Sequence, residues 1–152
     1  LDLCKHLSCA LEAAQTRMEQ KGLRLEPDLC SSRVHVVTDP VRLTQVLRNV
    51  LENSVRYTDT GGLIQVRCHA DHTQAFIDIL DSEPGVSEEH LPLLFDRFYT
   101  GDAARSRMRS GSGLGLAICH TLLQDQGASI RALPSPLGGL WIRIIIPLED
   151  KD

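Results

Sequence analysis

Asn49, Asn53, Arg56 and Tyr57 stand at positions i, i+4, i+7 and i+8 of the stretch NVLENSVRYT. At about 100° of turn per residue, a helix gathers these four side chains into an arc of roughly 100°. Leu43, Val46, Leu47, Val50 and Leu51 fill the adjoining arc, so such a helix buries one side and shows amides and a cation along its flank. An asparagine side-chain carbonyl is a neutral oxygen ligand suited to Mg²⁺, a hard cation that keeps waters and substrate phosphates in its shell. Arg56 could then face the same phosphates. The pattern equally describes an ordinary amphipathic helix whose polar flank meets water. Taken alone, it does not choose between the two.

Two further groups of residues could do chemistry. Asp81 follows an apolar run and precedes Ser82, Glu83, Pro84 and Gly85. A carboxylate at the end of a strand could accept a hydrogen bond from a ligand amino group, and Gly85 would let the backbone approach that ligand closely. A simple turn built by Asp81 and Pro84 is the alternative. The second group is the glycine-rich run Gly111, Ser112, Gly113, Leu114, Gly115, Leu116, which leads into a helical pattern. Free N–H groups and a helix N-terminus favour phosphate there, although glycines also punctuate plain turns. The run lacks the Lys and Ser/Thr of a P-loop, and no βαβ unit with a ribose-binding acid surrounds it. A nucleotide site here is of another kind.

The elements expected to hold these groups alternate between helix and strand. Leu3 to Glu19 reads as an amphipathic helix stopped near Gly22, and Leu23 to Leu29 as a strand, with a second short strand at Val34 to Val37. Asp39 and Pro40 form an N-cap and first-turn pair that opens the polar-stripe helix, which runs to about Tyr57. Ile64 to Ala70 and Ala75 to Leu80 form a hairpin around the polar turn Asp71 to Thr73. A short helix is expected at Glu88 to Phe95. Tyr99 to Ser112 carries three arginines, three serines and two glycines, the composition of a mobile loop. Gly113 to Gln126 should be a helix stopped at Gly127, and Ser129 to Leu133 and Leu140 to Pro147 the closing strands. Three main helices and about five strands imply an α+β two-layer sandwich, with the helices on one face of a mixed sheet.

Composition limits what such a fold could serve. At 152 residues and 42% hydrophobic content the chain, 1–152, has material for one domain. A net charge of −4 gives no electrostatic case for nucleic acid or an anionic membrane surface as partner. Five cysteines without a CxxC pair indicate neither a disulfide framework nor a zinc site and fit a reducing, cytoplasmic setting. No apolar run reaches membrane-spanning length. The start at Leu1 suggests a piece of something longer.

The order of these groups carries a resemblance. An Asn-bearing helix, a strand-end Asp with Pro and Gly, LFDRFY (Leu94 to Tyr99), a basic loop and GSGLGLAI (Gly111 to Ile118) together resemble the catalytic ATP-binding domain of bacterial sensor histidine kinases. That domain has the Bergerat nucleotide fold, shared more distantly with gyrase, Hsp90 and MutL. The match covers about Asp39 to Pro147, and LENSVRYTDTGG with the DSxPGV pattern resembles the BaeS-like subgroup. The resemblance implies ATP and Mg²⁺ as cofactors. Asn53 would bind the metal with Asn49 beside it, Arg56 would contact phosphate, and Tyr57 would pack near ribose or base. Asp81 would accept the adenine amino hydrogen bond, with Gly85 lining the base pocket. Gly111, Gly113 and Gly115 would shape the lid and phosphate cradle, Leu114 and Leu116 anchoring the helix behind them. Leu94, Phe95 and Phe98 would pack rather than react.

The ATPase relatives place a glutamate one turn before the metal-binding Asn, where it serves as general base for water. Here that place holds Asn49, and Glu52 points roughly 100° around the helix from Asn53. The expectation is phosphoryl transfer to a histidine on a separate dimeric helical hairpin, in two-component signal transduction with a response regulator as the indirect partner. None of His6, His35, His69, His72, His90 or His120 has the sequence context of that acceptor. The isolated chain is then expected to be a monomer, and the full-length protein a homodimer in the bacterial inner membrane. Two departures bear on activity. Glu83 replaces the first glycine of its box, at a cost on the order of 1 kcal/mol if that backbone needs a positive φ, so Glu83→Gly would tighten nucleotide. Thr100 stands where many relatives carry Arg, a place Arg105, Arg107 or Arg109 could take. A nucleotide-binding module with weakened activity and an ATPase of the gyrase type remain the alternatives.

Overall fold

The computed structural model describes residues 1–29, 33–96 and 115–148. Helix α1 (Leu3–Gln20) opens the fold, its Asp2 side chain accepting the Lys5 N–H. It ends at Gly22, whose φ of 71° lies in the left-handed region, with Gly22 N–H bonded to Glu19 O and Leu23 N–H to Met18 O. That paired closure satisfies the last carbonyls of the helix. Strand β1 (Arg24–Leu29) follows. Helix α2 (Pro40–Tyr57) starts as the Asp39-Pro40 pair predicts, the Asp39 carboxylate accepting from Val41 and Arg42 N–H at 2.9 and 3.3 Å. Strands β2 (Leu63–Ala70) and β3 (Gln74–Ser82) make the hairpin. Its turn is closed by Asp71, whose side chain accepts both Thr73 and Gln74 N–H at 2.8 Å. Helix α3 (Gly115–Gln124) ends at Gly127 with the same paired closure as α1, Ala128 N–H reaching Leu123 O. Strands β4 (Ser129–Pro134) and β5 (Gly138–Pro147) complete the chain.

The sheet order is β1-β2-β3-β5-β4, with β1 parallel to β2 and every other pair antiparallel. All three helices lie on one face. Alternation along the strands sends Ile64, Val66 and Cys68, then Ala75, Ile77 and Ile79, then Ile142, Ile144 and Ile146 into a continuous core with the helices. Helix α2 is the middle of that layer, packed against both α1 and α3. The result is the α+β two-layer sandwich with a mixed five-stranded sheet.

Two expected elements take other forms. Val34 to Val37 is not a strand of the sheet: His35 makes a single antiparallel bridge to Asp2, through Leu3 N–H to Val34 O and Val36 N–H to Leu1 O. Val34 and Val36 are buried and Val37 is exposed, as in a strand, but the partner segment turns into α1 at Leu3 and the ladder stops. Glu88 to Phe95 forms successive turns and a 3-10 segment at Leu91–Leu93 instead of an α-helix. Pro92 supplies no N–H, and the bonds around it are of the i to i−3 kind, such as Leu93 N–H to His90 O. The expected loop Tyr99 to Ser112 lies outside the described residues. No helix among the described residues is long and apolar enough to cross a membrane.

Candidate functional site

The apolar arc of α2 is buried as its spacing requires: Leu43, Val46, Leu47 and Val50 are fully buried and Leu51 is 1% exposed. The polar stripe beside it is graded in depth. Asn49, Asn53 and Arg56 are half-buried, while Tyr57 sits in the interior. Asn49 Nδ2 donates to Gly115 O at 3.3 Å, which ties the stripe to the first residue of α3. One turn on, Asn53 Nδ2 is buried and has no hydrogen-bond partner among the described residues. A buried amide left so costs about 1–3 kcal/mol unless something accepts from it. Its chemistry fits a phosphate–cation pair, with N–H groups for a phosphate oxygen and a neutral carbonyl for a hard metal ion.

Arg56 lines an open cleft with Arg17, Gln20, Lys21, Glu52 and Val55, on the α1 side of α2. Its backbone carbonyl and that of Val55 each accept from Lys21 Nζ at 2.6 Å. Those are two of the carbonyls that the end of α2 would otherwise leave unpaired. Burial pushes the Lys21 pKa below the usual lysine value, and Asp59 and Asp81 pull it back up. Glu52 makes an ion pair with Arg17 at 2.8 Å. It is thus turned toward α1, away from Asn53, as its position on the helix predicts.

Asp81 lies where β3 and β5 slip register. Leu80 faces Trp141 and Ser82 faces Gly138, so β5 spends one residue more than β3. A bulge of this kind re-aims the side chain opposite it. The Asp81 carboxylate is 1% exposed, and its Oδ1 accepts the Leu140 N–H at 2.7 Å. Gly139 is what makes room, since a Cβ there would collide with Asp81 Oδ1 and with the carbonyls of Asp81 and Ser82. Gly85 is close to chain rather than open space: a Cβ on it would meet Gly138 O at 2.8 Å. Glu83 is exposed, its side chain lies against Gly138, and its carbonyl accepts the Asp59 N–H at 3.0 Å. That bond joins the end of α2 to the loop after β3.

The structure therefore brings Asn49 to Gly115, and the Asp81 loop to both α2 and β5. Gly111, Gly113 and Leu114, with Phe98, Thr100 and the three loop arginines, lie outside the described residues. Leu94 is buried, Phe95 is half-buried beside His120 at 6.2 Å between ring centres, and Leu116 packs on the core. Lys21, Gly139 and Leu140 are the contributors that sequence reasoning did not single out. Only Gly139 left a trace, in the Gly138-Gly139 pair that opens β5.

Residues 38–150 match the family described as histidine kinase-, DNA gyrase B-, and HSP90-like ATPase. The chain is 41% identical over 149 residues to the signal transduction histidine-protein kinase BaeS of Escherichia coli (strain K12), covering 98% of this chain and 32% of that protein. It is 40% identical over 109 residues to the sensor protein SrrB of Staphylococcus aureus (strain MRSA252), covering 72% of this chain and 18% of that protein. The chain thus spans a third or less of these relatives. Among solved structures it superposes on a mycobacterial sensor histidine kinase, MprB, with a TM-score of 0.86 and 28% identity, covering 97% of this chain and 96% of the other. With the match running through α2, the Asp81 bulge and α3, the chain belongs to the histidine kinase-, DNA gyrase B- and HSP90-like ATPases, among their sensor histidine kinases.

Proposed function

We propose that this chain binds Mg-ATP and donates the γ-phosphoryl group to a histidine on a separate phosphoacceptor domain of the same kinase, which in turn serves a response regulator. The ion pair between Glu52 and Arg17 carries the choice of transfer over hydrolysis. The stripe has an amide at Asn49 where a base for water would be needed, and the nearest carboxylate on the helix is neutralised on the other side. An amide cannot take up a proton, so bound ATP is held until a better nucleophile arrives. Bound Mg²⁺ would neutralise phosphate charge, and Asn53 is the residue assigned to hold it.

Within that reading the chain positions rather than reacts. Asn49 holds the head of α3 against α2 and Tyr57 anchors the stripe in the core, while Arg56, the phosphate contact that the resemblance implies, would have to reach over from the cleft it lines toward α1. Asp81, oriented by Leu140, accepts from the base amino group, with Gly85 at the pocket wall. Gly111, Gly113, Leu114 and Gly115 serve the phosphates, as the resemblance implies. The whole protein acts as a homodimer at the inner membrane with this domain in the cytoplasm.

The test mixes the purified chain with its own acceptor hairpin and γ-labelled ATP, and follows hydrolysis by the chain alone in parallel. Label on the hairpin histidine, abolished by Asn53→Ala, with little phosphate released by the chain alone, is the expected result. Brisk Mg²⁺-dependent hydrolysis without the hairpin would overturn it in favour of an ATPase. Nucleotide binding without any transfer would leave a binding module, the reading that exposed Glu83 beside Gly138 favours.

A further inference from the structure

Helix α1 and strand β2 bring two thiols together that stand 64 positions apart in the chain. Cys4 lies in the first turn of α1 and is half-buried; Cys68 lies on the helix-facing side of β2 and is 2% exposed. Their sulfurs are 3.4 Å apart. A disulfide needs about 2.05 Å between sulfurs, so the two must close by roughly 1.4 Å, the kind of movement a side-chain rotation provides. The other described cysteines are not so placed. Cys9 is exposed on α1, and the Cys119 thiol faces Val46 O at 3.7 Å, in a site whose burial pushes its pKa up to about 12. Neither the stripe on α2 nor the Asp81 loop uses Cys4 or Cys68.

We propose that Cys4 and Cys68 form an oxidisable dithiol site that takes small hydroperoxides. Cys4 is the half-exposed member and meets the oxidant first. Its thiolate attacks the peroxide oxygen, the O–O bond breaks, an alcohol or water leaves, and Cys4 becomes a sulfenic acid. The Cys68 sulfur then attacks the Cys4 sulfur, the S–O bond breaks and water leaves. Two thiols and one hydroperoxide thus give one disulfide, one alcohol and one water. The product staples the first turn of α1 to β2, joining the helix layer to the sheet across a long loop. A dithiol reductant reverses it.

The test treats the chain with tert-butyl hydroperoxide, blocks remaining thiols with N-ethylmaleimide after denaturation, and maps peptides by mass spectrometry, with a dithiothreitol-treated control. The expected product is a Cys4–Cys68 linked peptide lighter by two hydrogens than its separate halves, with the other three cysteines alkylated. Oxidation should raise the melting temperature by on the order of 5 °C or more in the wild type and in Cys9→Ser. No link and no such rise should occur in Cys4→Ser or Cys68→Ala, the first of these keeping a readout should the buried substitution fail to fold. A link pairing either residue with Cys9, Cys30 or Cys119 instead would overturn the assignment. So would Cys4 and Cys68 both staying alkylatable while Cys9 is oxidised.

Discussion

At the scale of single residues, glycine matters here in two separable ways. Gly139 has no special backbone angle to maintain, yet a Cβ there would strike two backbone carbonyls and the Asp81 carboxylate, which its bond to Leu140 N–H holds in place. Gly61 is the converse, with a φ of 86° and nothing within 4 Å of a Cβ. Gly139→Ala should therefore push β5 off the Asp81 bulge and cost about 1–3 kcal/mol as an overpacked site does, with loss of nucleotide-analogue binding. Gly61→Ala should cost about 1 kcal/mol through the left-handed backbone alone and leave binding intact. Urea denaturation with calorimetric titration of the analogue measures both. Equal losses of affinity in the two variants would mean that Gly139 does not act through Asp81.

Among the elements, α2 carries most of the candidate site, and its two ends are held differently. Asp39 caps the start locally, from the residue before the helix. The end is held from α1 by the Lys21 ammonium on the Val55 and Arg56 carbonyls. Lys21→Met keeps the aliphatic stem and removes both bonds, at an expected cost of about 2 kcal/mol for a charged donor. Hydrogen exchange should quicken most at the last turn, where Thr58 N–H bonds to Ser54 O, and unchanged protection there would remove the argument. This contrast also explains what was legible beforehand. The α2 helix, its apolar arc and the Asp39 cap follow from period and neighbours within one helix, and they were read correctly. The turns at Gly22, Asp71 and Gly127 are likewise local. The aim of Asp81 depends on register with β5, 59 positions away. The Lys21 cap depends on how α1 docks on α2, and Val34 to Val37 lost its place in the sheet to a partner only two residues long. Pairing between distant segments decided each of these, and periodicity does not encode it.

For the molecule as a whole, a two-layer fold has one sheet face covered by helices and another that is not, and the uncovered face is organised around a charge. Asp78 is fully buried on the side of β3 opposite the helices. Arg143 of β5 clasps it through Nε at 2.7 Å and Nη2 at 3.1 Å, Trp141 Nε1 donates at 2.8 Å, and His69 Nε2 lies at 3.0 Å. The guanidinium also lies over the Phe76 and Trp141 rings, 4.8 and 5.1 Å from their centres, so one cluster spans β2, β3 and β5. Burial works against the Asp78 charge, but the donors from Arg143, Trp141 and His69 outweigh it and hold the pKa below the ordinary carboxylate value. A carboxyl with a depressed folded pKa binds its proton more weakly in the folded chain than in the unfolded one. Its contribution is complete above the unfolded value of about 3.9 and is lost as pH falls from there through the folded pKa. Removing one member of such a buried pair costs about 3 kcal/mol or more. Asp78→Asn should therefore be less stable than wild type at pH 7, and the gap between their urea midpoints should narrow steadily as pH falls below the unfolded carboxyl value of about 3.9. Arg143→Met, which leaves the carboxylate buried with only Trp141 and His69, should bring the acid transition to higher pH than in wild type. If the gap between Asp78→Asn and wild type stayed constant through that range, Asp78 would hold the three strands by shape and hydrogen bonding alone, and its charge would contribute nothing to stability.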